Sequence, residues 1–292
     1  MLRKFRAKFA DLIPILRELR QIRKVVRHID DSVDAIHKME AIRGHELAVT
    51  SHPRYSDSLR LLRFGFQVNS QNYEDGMIHE ILKRVGTSSR VFVEVGVGDG
   101  TENNTAFLLS QGWTGFWIDG CDSFVKNIKS RKDIPESCLK SSVSFVGREN
   151  IAGIFAQLGV PGDLDLLSLD IDQNTYYLWE ALHEYAPRVV VVEYNASIPP
   201  DIEWKVEYDA DRRWDYTHNF GASLKSFEAL GKQLGYSLVG CDFVGSNAFF
   251  VRDDLAPGKF AEPFTAANHY EPPRYESVPR RGHPRSILDR QG

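Results

Sequence analysis

Cysteine is scarce in this sequence of 292 residues: Cys121, Cys138 and Cys241 are odd in number, widely spaced and without a C-x-x-C pair. That excludes a disulfide framework and a cysteine zinc site. Long apolar runs are also missing, since no stretch nears the roughly 20 apolar residues that cross a bilayer. The basic N-terminus has neither an apolar core nor a small-residue cleavage site, so a cytoplasmic protein is expected. Nor is there an excess of positive charge. With 36 basic against 40 acidic residues and a net charge of -4, nucleic acid is not an expected partner. What remains is 42% hydrophobic and 26% charged, the composition of a globular chain with one catalytic domain and shorter appendages.

Four segments differ in character. Residues 1–43 carry an alternating seam of Leu12, Leu19, Val26 and Val33 with Ile15, Ile22, Ile29 and Ile36, which predicts a coiled-coil helix starting near Pro14 and a homo-oligomer of undetermined number. The same stretch is basic, so contact with the inner face of an anionic membrane competes with self-association. Residues 44–70 read as a linker. Over 71–255 helical and strand patterns alternate, the sign of a parallel sheet covered by helices. Strands are predicted at 90–95, 115–119, 143–146, 164–171 and 188–194, followed by a closing antiparallel pair at 237–242 and 247–251. Helices are predicted at 78–85, 102–111, 123–131, 149–158, 174–185 and 221–235. The Pro/Arg-rich tail, 256–292, has no periodic segment and is expected to be an extended arm or disordered.

After the first apolar strand the chain reads Glu94-x-Gly96-x-Gly98-x-Gly100. Glycines here let the main chain turn tightly and approach a ligand. A dinucleotide fingerprint would place two residues before its third glycine, whereas here there is one. The second strand ends at Asp119, where a carboxylate can accept both hydroxyls of a ribose. Together these predict an S-adenosylmethionine site in a Rossmann-like class I methyltransferase fold, with a seven-stranded, mostly parallel sheet and a terminal antiparallel hairpin.

These residues resemble the FkbM-like class I methyltransferases. The resemblance runs from Ser70-Gln71 and Glu74-Asp75-Gly76 through the glycine motif, Trp117-Ile118-Asp119-Gly120, Arg148-Glu149-Asn150 and Asp165 to Asp172, and ends near Asn247 to Arg252. It implies that Glu94, Gly96 and Gly98 line the methionine end of the cofactor, with Asp170 beside them. Asp119 would hold the ribose, Asn150 would lie near the adenine, and Gln71 and Glu74 would close over the ligand. It also implies O-methylation of a glycan, with lipids, secondary metabolites and a non-catalytic scaffold as alternatives.

Asp170-Ile171-Asp172 and Glu193-Tyr194-Asn195 stand at neighbouring strand ends, where ligands of open α/β sheets bind. Acids gathered there repel unless a cation or protons compensate, so Asp170, Asp172, Glu193 and Asn195 are candidate magnesium ligands. The set is similar to the metal site of catechol-type and macrolide-sugar O-methyltransferases. The alternative is that Asp172 caps the next helix with Asn174 while Glu193 pairs with Arg188. Residues 196–220 hold Trp204, Tyr208, Trp214, Tyr216, His218 and Phe220 and read as an aromatic lid suited to a sugar or aryl ring. Within it His218 is the candidate general base, with Asp172 or Lys205 as substitutes.

Overall fold

The computed structural model describes residues 2–214 and 217–274. Its elements in chain order are α1 (Leu2–Ser51), α2 (Pro53–Ser56), a 3-10 turn (Leu62–Phe64), α3 (Glu74–Val85), β1 (Val91–Val95), α4 (Ala106–Ser110), β2 (Thr114–Asp119) and α5 (Asp122–Ser130). There follow β3 (Leu139–Val143), α6 (Ile151–Leu158), β4 (Leu166–Leu169), α7 (Thr175–Ala181), β5 (Val189–Glu193), α8 (Leu224–Leu234), β6 (Tyr236–Cys241), β7 (Asn247–Arg252) and α9 (Ala266–His269).

One sheet runs in the order β3-β2-β1-β4-β5-β7-β6. β1 to β5 pair in parallel, and β7 lies antiparallel between β5 and β6. That order is the Rossmann-like class I methyltransferase fold. The central strands are buried on both faces, so alternate residues feed separate cores. Val93, Val95, Val190 and Val192 face α6, α7 and α8. Phe92, Val189 and Val191 face the opposite layer, which contains Met77, Ile81 and Leu109. The strand order reverses between β1 and β4, so the connections leaving their carboxyl ends run to opposite faces of the sheet and leave between them the crevice that open α/β sheets use for ligands.

Several predicted features differ from what is observed. The third strand lies at Leu139–Val143 rather than 143–146, because it is an edge strand of mostly polar, partly exposed residues and lacks the apolar run that marks buried strands. α1 does not begin at Pro14. Its bounds are Leu2–Ser51, consistent with good helix formers such as Leu2, Lys4, Ala7 and Ala10 upstream of the proline. The predicted linker therefore opens with the last turns of α1, and its Tyr55, Leu61 and Leu62 are buried.

The tail is not an extended arm over its first part. Ala256, Phe260, Ala261 and Ala266 are buried, and Glu271 is clamped by Arg54 at 3.3 Å, Arg274 at 2.9 Å and the Tyr55 hydroxyl at 2.8 Å. These anchors are too irregularly spaced among prolines to give a period. Residues 275–292, Tyr216 and the side chains of Leu12 and Ile15 lie outside the described residues.

Candidate active site

A cavity of about 810 Å³ opens at the carboxyl edge of the sheet, within the range that small-molecule and cofactor sites occupy. Gln71, Glu74, Glu94, Gly96, Gly98, Asp119, Asp170 and Asp172 all line it. Of the remaining sequence candidates, Glu193 stands against Asp170 behind the lining, while Asn150, Asn195 and His218 are not lining residues.

The three glycines of the motif are glycine for three different reasons. Gly96 has φ +87, and a Cβ there would sit 1.6 Å from the Asp170 carbonyl oxygen. Its smallness thus serves the close approach of β1 to the end of β4, while the residue also lines the cavity. Gly100 leaves room for the Trp117 ring, which a Cβ would meet at 2.7 Å. Gly98, at φ +57, is the member whose Cβ would meet nothing within 4 Å, so its backbone is the one bared to the cavity. The Gly98 N–H donates to Asp119 Oδ2 at 2.8 Å, and the Cys121 N–H donates to Oδ1 at 2.7 Å. The Asp119 carboxylate is thereby fixed at the rim with acceptor capacity left on each oxygen.

Glu94 is buried and accepts from Asn103 Nδ2 at 2.6 Å, the Asn104 N–H at 2.8 Å, the Thr105 N–H at 3.1 Å and the Thr105 hydroxyl at 2.5 Å. Burial pushes its carboxyl up despite these bonds. Capturing this carboxylate occupies residues 103–105, which explains why α4 begins at Ala106 and not at the predicted 102. The Asn103-Asn104-Thr105 run, nine to eleven residues after Glu94, is the sequence signal that was not recognised as part of the site.

This capture bears on which nucleoside ligand the cavity suits. In a dinucleotide site the amides at the helix entrance bind a pyrophosphate. Here the chain's own glutamate takes them. The lining also carries seven carboxylates (Glu74, Glu94, Glu102, Asp119, Asp122, Asp170 and Asp172) against two cations, Arg212 and Arg213. Such a field opposes an anionic pyrophosphate and favours a cationic ligand. Asn103 Oδ1 and Asn247 Oδ1, both on lining residues, are buried acceptors without a hydrogen-bond partner among the described residues, so they suit a donor such as an ammonium group.

Asp170, Asp172 and Glu193 each place a carboxylate oxygen within 4.8 Å of the others. Burial first, and the neighbouring Asp172 charge second, push Asp170 up to about 7. Burial and the Asp170 charge push Glu193 well above the carboxylate range, and a hydrogen bond joins the two. Glu193 therefore pairs with Asp170 and not with Arg188, whose guanidinium instead bonds Val85 O at 2.6 Å and faces Asp165 at 3.7 Å. Glu193 Oε2 is buried and unpartnered among the described residues. Asp172 has φ +61, a conformation that non-glycine residues seldom hold outside functional sites and turns. The following N-cap, Asn174, makes no side-chain cap bond.

Asn195 is not part of this group. Its Nδ2 donates to His218 O at 2.7 Å and Phe220 O at 3.0 Å, and its Oδ1 accepts from the Ser197 N–H at 3.1 Å. β5 ends at Glu193, so the alternation that would have set both side chains on one face has stopped. Asn150 closes its own turn, accepting from Gly147 N–H at 2.9 Å and donating to Phe145 O at 3.0 Å, and is not a lining residue of the cavity.

His218 is exposed beside Ser197, with 3.3 Å between Nδ1 and the hydroxyl. The backbone carbonyl of this histidine, and not its ring, is what the fold uses. His218→Ala should therefore change stability by less than about 0.5 kcal/mol. Asn195→Ala, which strands two carbonyls, should cost about 2–4 kcal/mol. Urea unfolding of both variants checks the pair.

The lid is also more firmly tied than its length implied. Tyr177 donates to Val206 O at 2.7 Å, Asn174 Nδ2 donates to Asp209 O at 2.8 Å, and Lys205 bridges to Ala222. Lys205 Nζ lies 3.8 Å from the centroid of the Tyr176 ring in a cation–π contact, and Lys205 is not a lining residue of the cavity. Tyr208 packs edge-on to Tyr177 of α7 and Phe220 edge-on to Trp214, and among the described lid aromatics Trp214 is the one that lines the cavity, with Arg212 and Arg213.

No protein-family model matches the sequence, and no curated protein matches it. Among solved structures the chain resembles the bifunctional kinase-methyltransferase WbdD, at 16% identity over 60% of this chain and 38% of that one, with a TM-score of 0.36. It also resembles the methyltransferase domain of bacterial CtHen1-C, at 18% identity over 61% and 97%, TM-score 0.36. The TehB-like SAM-dependent methyltransferase from Corynebacterium glutamicum is a third, at 14% over 75% and 98%, TM-score 0.33. The chain spans about two fifths of WbdD. At these scores the likenesses carry no weight beyond the strand order itself, and the functional argument rests on the residues described above.

Among the described residues no helix is long and apolar enough to cross a membrane.

Proposed function

We propose that this chain is an S-adenosylmethionine-dependent O-methyltransferase of the FkbM-like kind, acting on a sugar hydroxyl of a polysaccharide or related glycan. The observation that carries the reading is the self-filled helix entrance: Glu94 occupies the amides that a pyrophosphate would need, inside a cavity dominated by carboxylates. S-adenosylmethionine fits those residues, because it presents a sulfonium, an ammonium and a ribose, and supplies the methyl group. Asp119 would accept the ribose hydroxyls, the bared backbone at Gly98 would lie against the ligand, and Asn103 and Asn247 would accept from the ammonium.

A hard divalent cation such as magnesium fits Asp170, Asp172 and Glu193, whose oxygens are the donors that it prefers and whose mutual repulsion it would relieve. When bound, it would lower the pKa of an acceptor hydroxyl and orient it. Asp172, on the cavity wall, is the group placed to take the hydroxyl proton as the acceptor oxygen attacks the methyl carbon. The carbon–sulfur bond then breaks and leaves a neutral thioether. The sugar acceptor draws support from the resemblance and from Trp214 at the cavity mouth, a flat face for a pyranose.

Calorimetry with S-adenosylmethionine, S-adenosylhomocysteine and NAD, each with and without magnesium, tests the reading. Heat with the first two and none with NAD is expected. Silence with both sulfur ligands ends it, and tight binding without labelled-methyl transfer to any polysaccharide, lipid or small-molecule acceptor would make the chain a cofactor-binding scaffold. Asp119→Ala should weaken cofactor binding by about 1–3 kcal/mol, on the order of 5- to 150-fold in Kd, through loss of charge-assisted hydrogen bonds. Unchanged affinity would place the ribose elsewhere.

A further inference from the structure

α1 ends against the domain. His45 is buried there, stacked on Tyr73 at 4.5 Å with 7° between the rings and edge-on to Phe243 at 4.8 Å. Upstream of that anchor the described residues of the helix have no cover. Leu19, Ile22, Val26, Ile29, Val33 and Ile36, one continuous seam, are 44–58% exposed. Apolar side chains at this spacing on an uncovered helix call for another helix.

Charge along the helix says which helix and in which direction. Residues 1–27 hold nine cations (Arg3, Lys4, Arg6, Lys8, Arg17, Arg20, Arg23, Lys24 and Arg27) against Asp11 and Glu18. Residues 28–51 hold five acids (Asp30, Asp31, Asp34, Glu40 and Glu46) against Lys38 and Arg43. We infer that the face is covered by a second copy of the same helix running antiparallel, giving a two-fold dimer centred between Arg27 and His28.

In that register the stretch from Leu19 to Ile36 pairs with itself. Leu19 meets Ile36 of the other protomer, Ile22 meets Val33, and Val26 meets Ile29, so each contact occurs twice by symmetry. The flanking positions set Arg23 opposite Asp30, and the basic stretch from Arg20 to Arg27 lies along Asp30 and Asp31. A parallel in-register pair would gain Arg23 against Glu18 but would align nine cations with nine. Opposite net charge on the two halves therefore selects the antiparallel arrangement.

The spacing also accommodates the domains. From the centre to His45 is about 17 residues, or about 26 Å of helix. The two domains thus sit about 50 Å apart along the rod, farther than the roughly 40 Å width of a body of this size. An anionic lipid surface would satisfy the basic half but would find Asp30, Asp31 and Asp34 in the other half repelling it.

The proposal does not depend on the cofactor reading, and its test uses none of the site. Sedimentation equilibrium of the full chain at micromolar concentration should give twice the chain mass, and Val26→Glu with Ile29→Glu should give the single-chain mass with the far-UV spectrum of the domain retained. Leu19→Cys combined with Ile36→Cys should oxidise to a covalent dimer, while Leu19→Cys alone, like the unaltered chain with its three native cysteines, should not. Arg23→Glu should weaken the dimer several-fold, and adding Asp30→Arg should restore it.

A monomer, a larger assembly, or a covalent dimer from Leu19→Cys alone overturns the proposal. So does a chain that is monomeric in solution and pellets with phosphatidylserine vesicles.

Discussion

Gly96→Ala should leave little or no soluble protein. The added methyl would need the place of the Asp170 carbonyl oxygen, 1.6 Å away, and the main chain there has φ +87, where a side chain is strained in any case. Neither atom can yield cheaply. β1 and β4 are hydrogen-bonded neighbours with Val95 opposite Leu169, and the Asp170 N–H donates to Val95 O at 3.0 Å. Parting the strand ends would cost about 3 kcal/mol or more, a large share of the 5–15 kcal/mol that holds a typical domain together. Gly98→Ala is the control, since its Cβ would meet nothing. That variant should fold with a cost of about 1 kcal/mol for its φ of +57, and should lose cofactor affinity instead. Denaturant titration of both proteins separates the two roles, and equal stability of the two variants would contradict the assignment.

Asp170→Asn should make the metal-free protein more stable at pH 8, by on the order of 1–3 kcal/mol. Burial and the Asp172 charge raise Asp170 to about 7, and burial and the Asp170 charge raise Glu193 well above the carboxylate range. Groups raised in this way contribute stability that is fully present below their unfolded pKa of about 4 and is lost as pH rises through the folded values. The unaltered chain should therefore lose stability from about pH 4 through about pH 7 relative to Asp170→Asn, which has one fewer group to ionise. The difference in melting temperature should grow steadily over that window. Millimolar magnesium should recover the loss in the unaltered chain by binding the ionised cluster, and should do far less for the variant. A flat difference across pH would mean that Asp170 is not held against Glu193, and stabilisation of both proteins alike by magnesium would place the cation elsewhere.

The two predictions use neighbouring atoms of one strand end, and they show where sequence was informative. Glu94, the glycines and Asp119 stand in the order that predicts a nucleoside crevice, because strand ends, tight turns and carboxylates are local events that a sequence displays directly. The reason for each glycine was not legible. Gly96 is constrained by a carbonyl 74 residues later in the chain and Gly100 by an indole 17 residues later, and no spacing rule announces either. Glu94 was read as a cofactor contact, yet much of its bonding capacity goes to the start of α4.

The acidic cluster divides in the same way. Three of its four expected members meet, because β4 and β5 are adjacent and parallel. Asn195 does not join them, because β5 ends two residues earlier and the backbone there turns to pair with Ala222. His218 looked like a base because a histidine in a polar loop is the ordinary place to find one. The fold put its carbonyl, rather than its ring, to use.

The sequence by itself determined the class of fold, the crevice and the kinds of atom around it, since periodicity, glycine spacing and carboxylates at strand ends follow from local backbone geometry. Only the tertiary structure decided which of those atoms face open space and which are consumed by one another. Those contacts join residues tens of positions apart, and they depend on strand adjacency and burial, which no local pattern encodes.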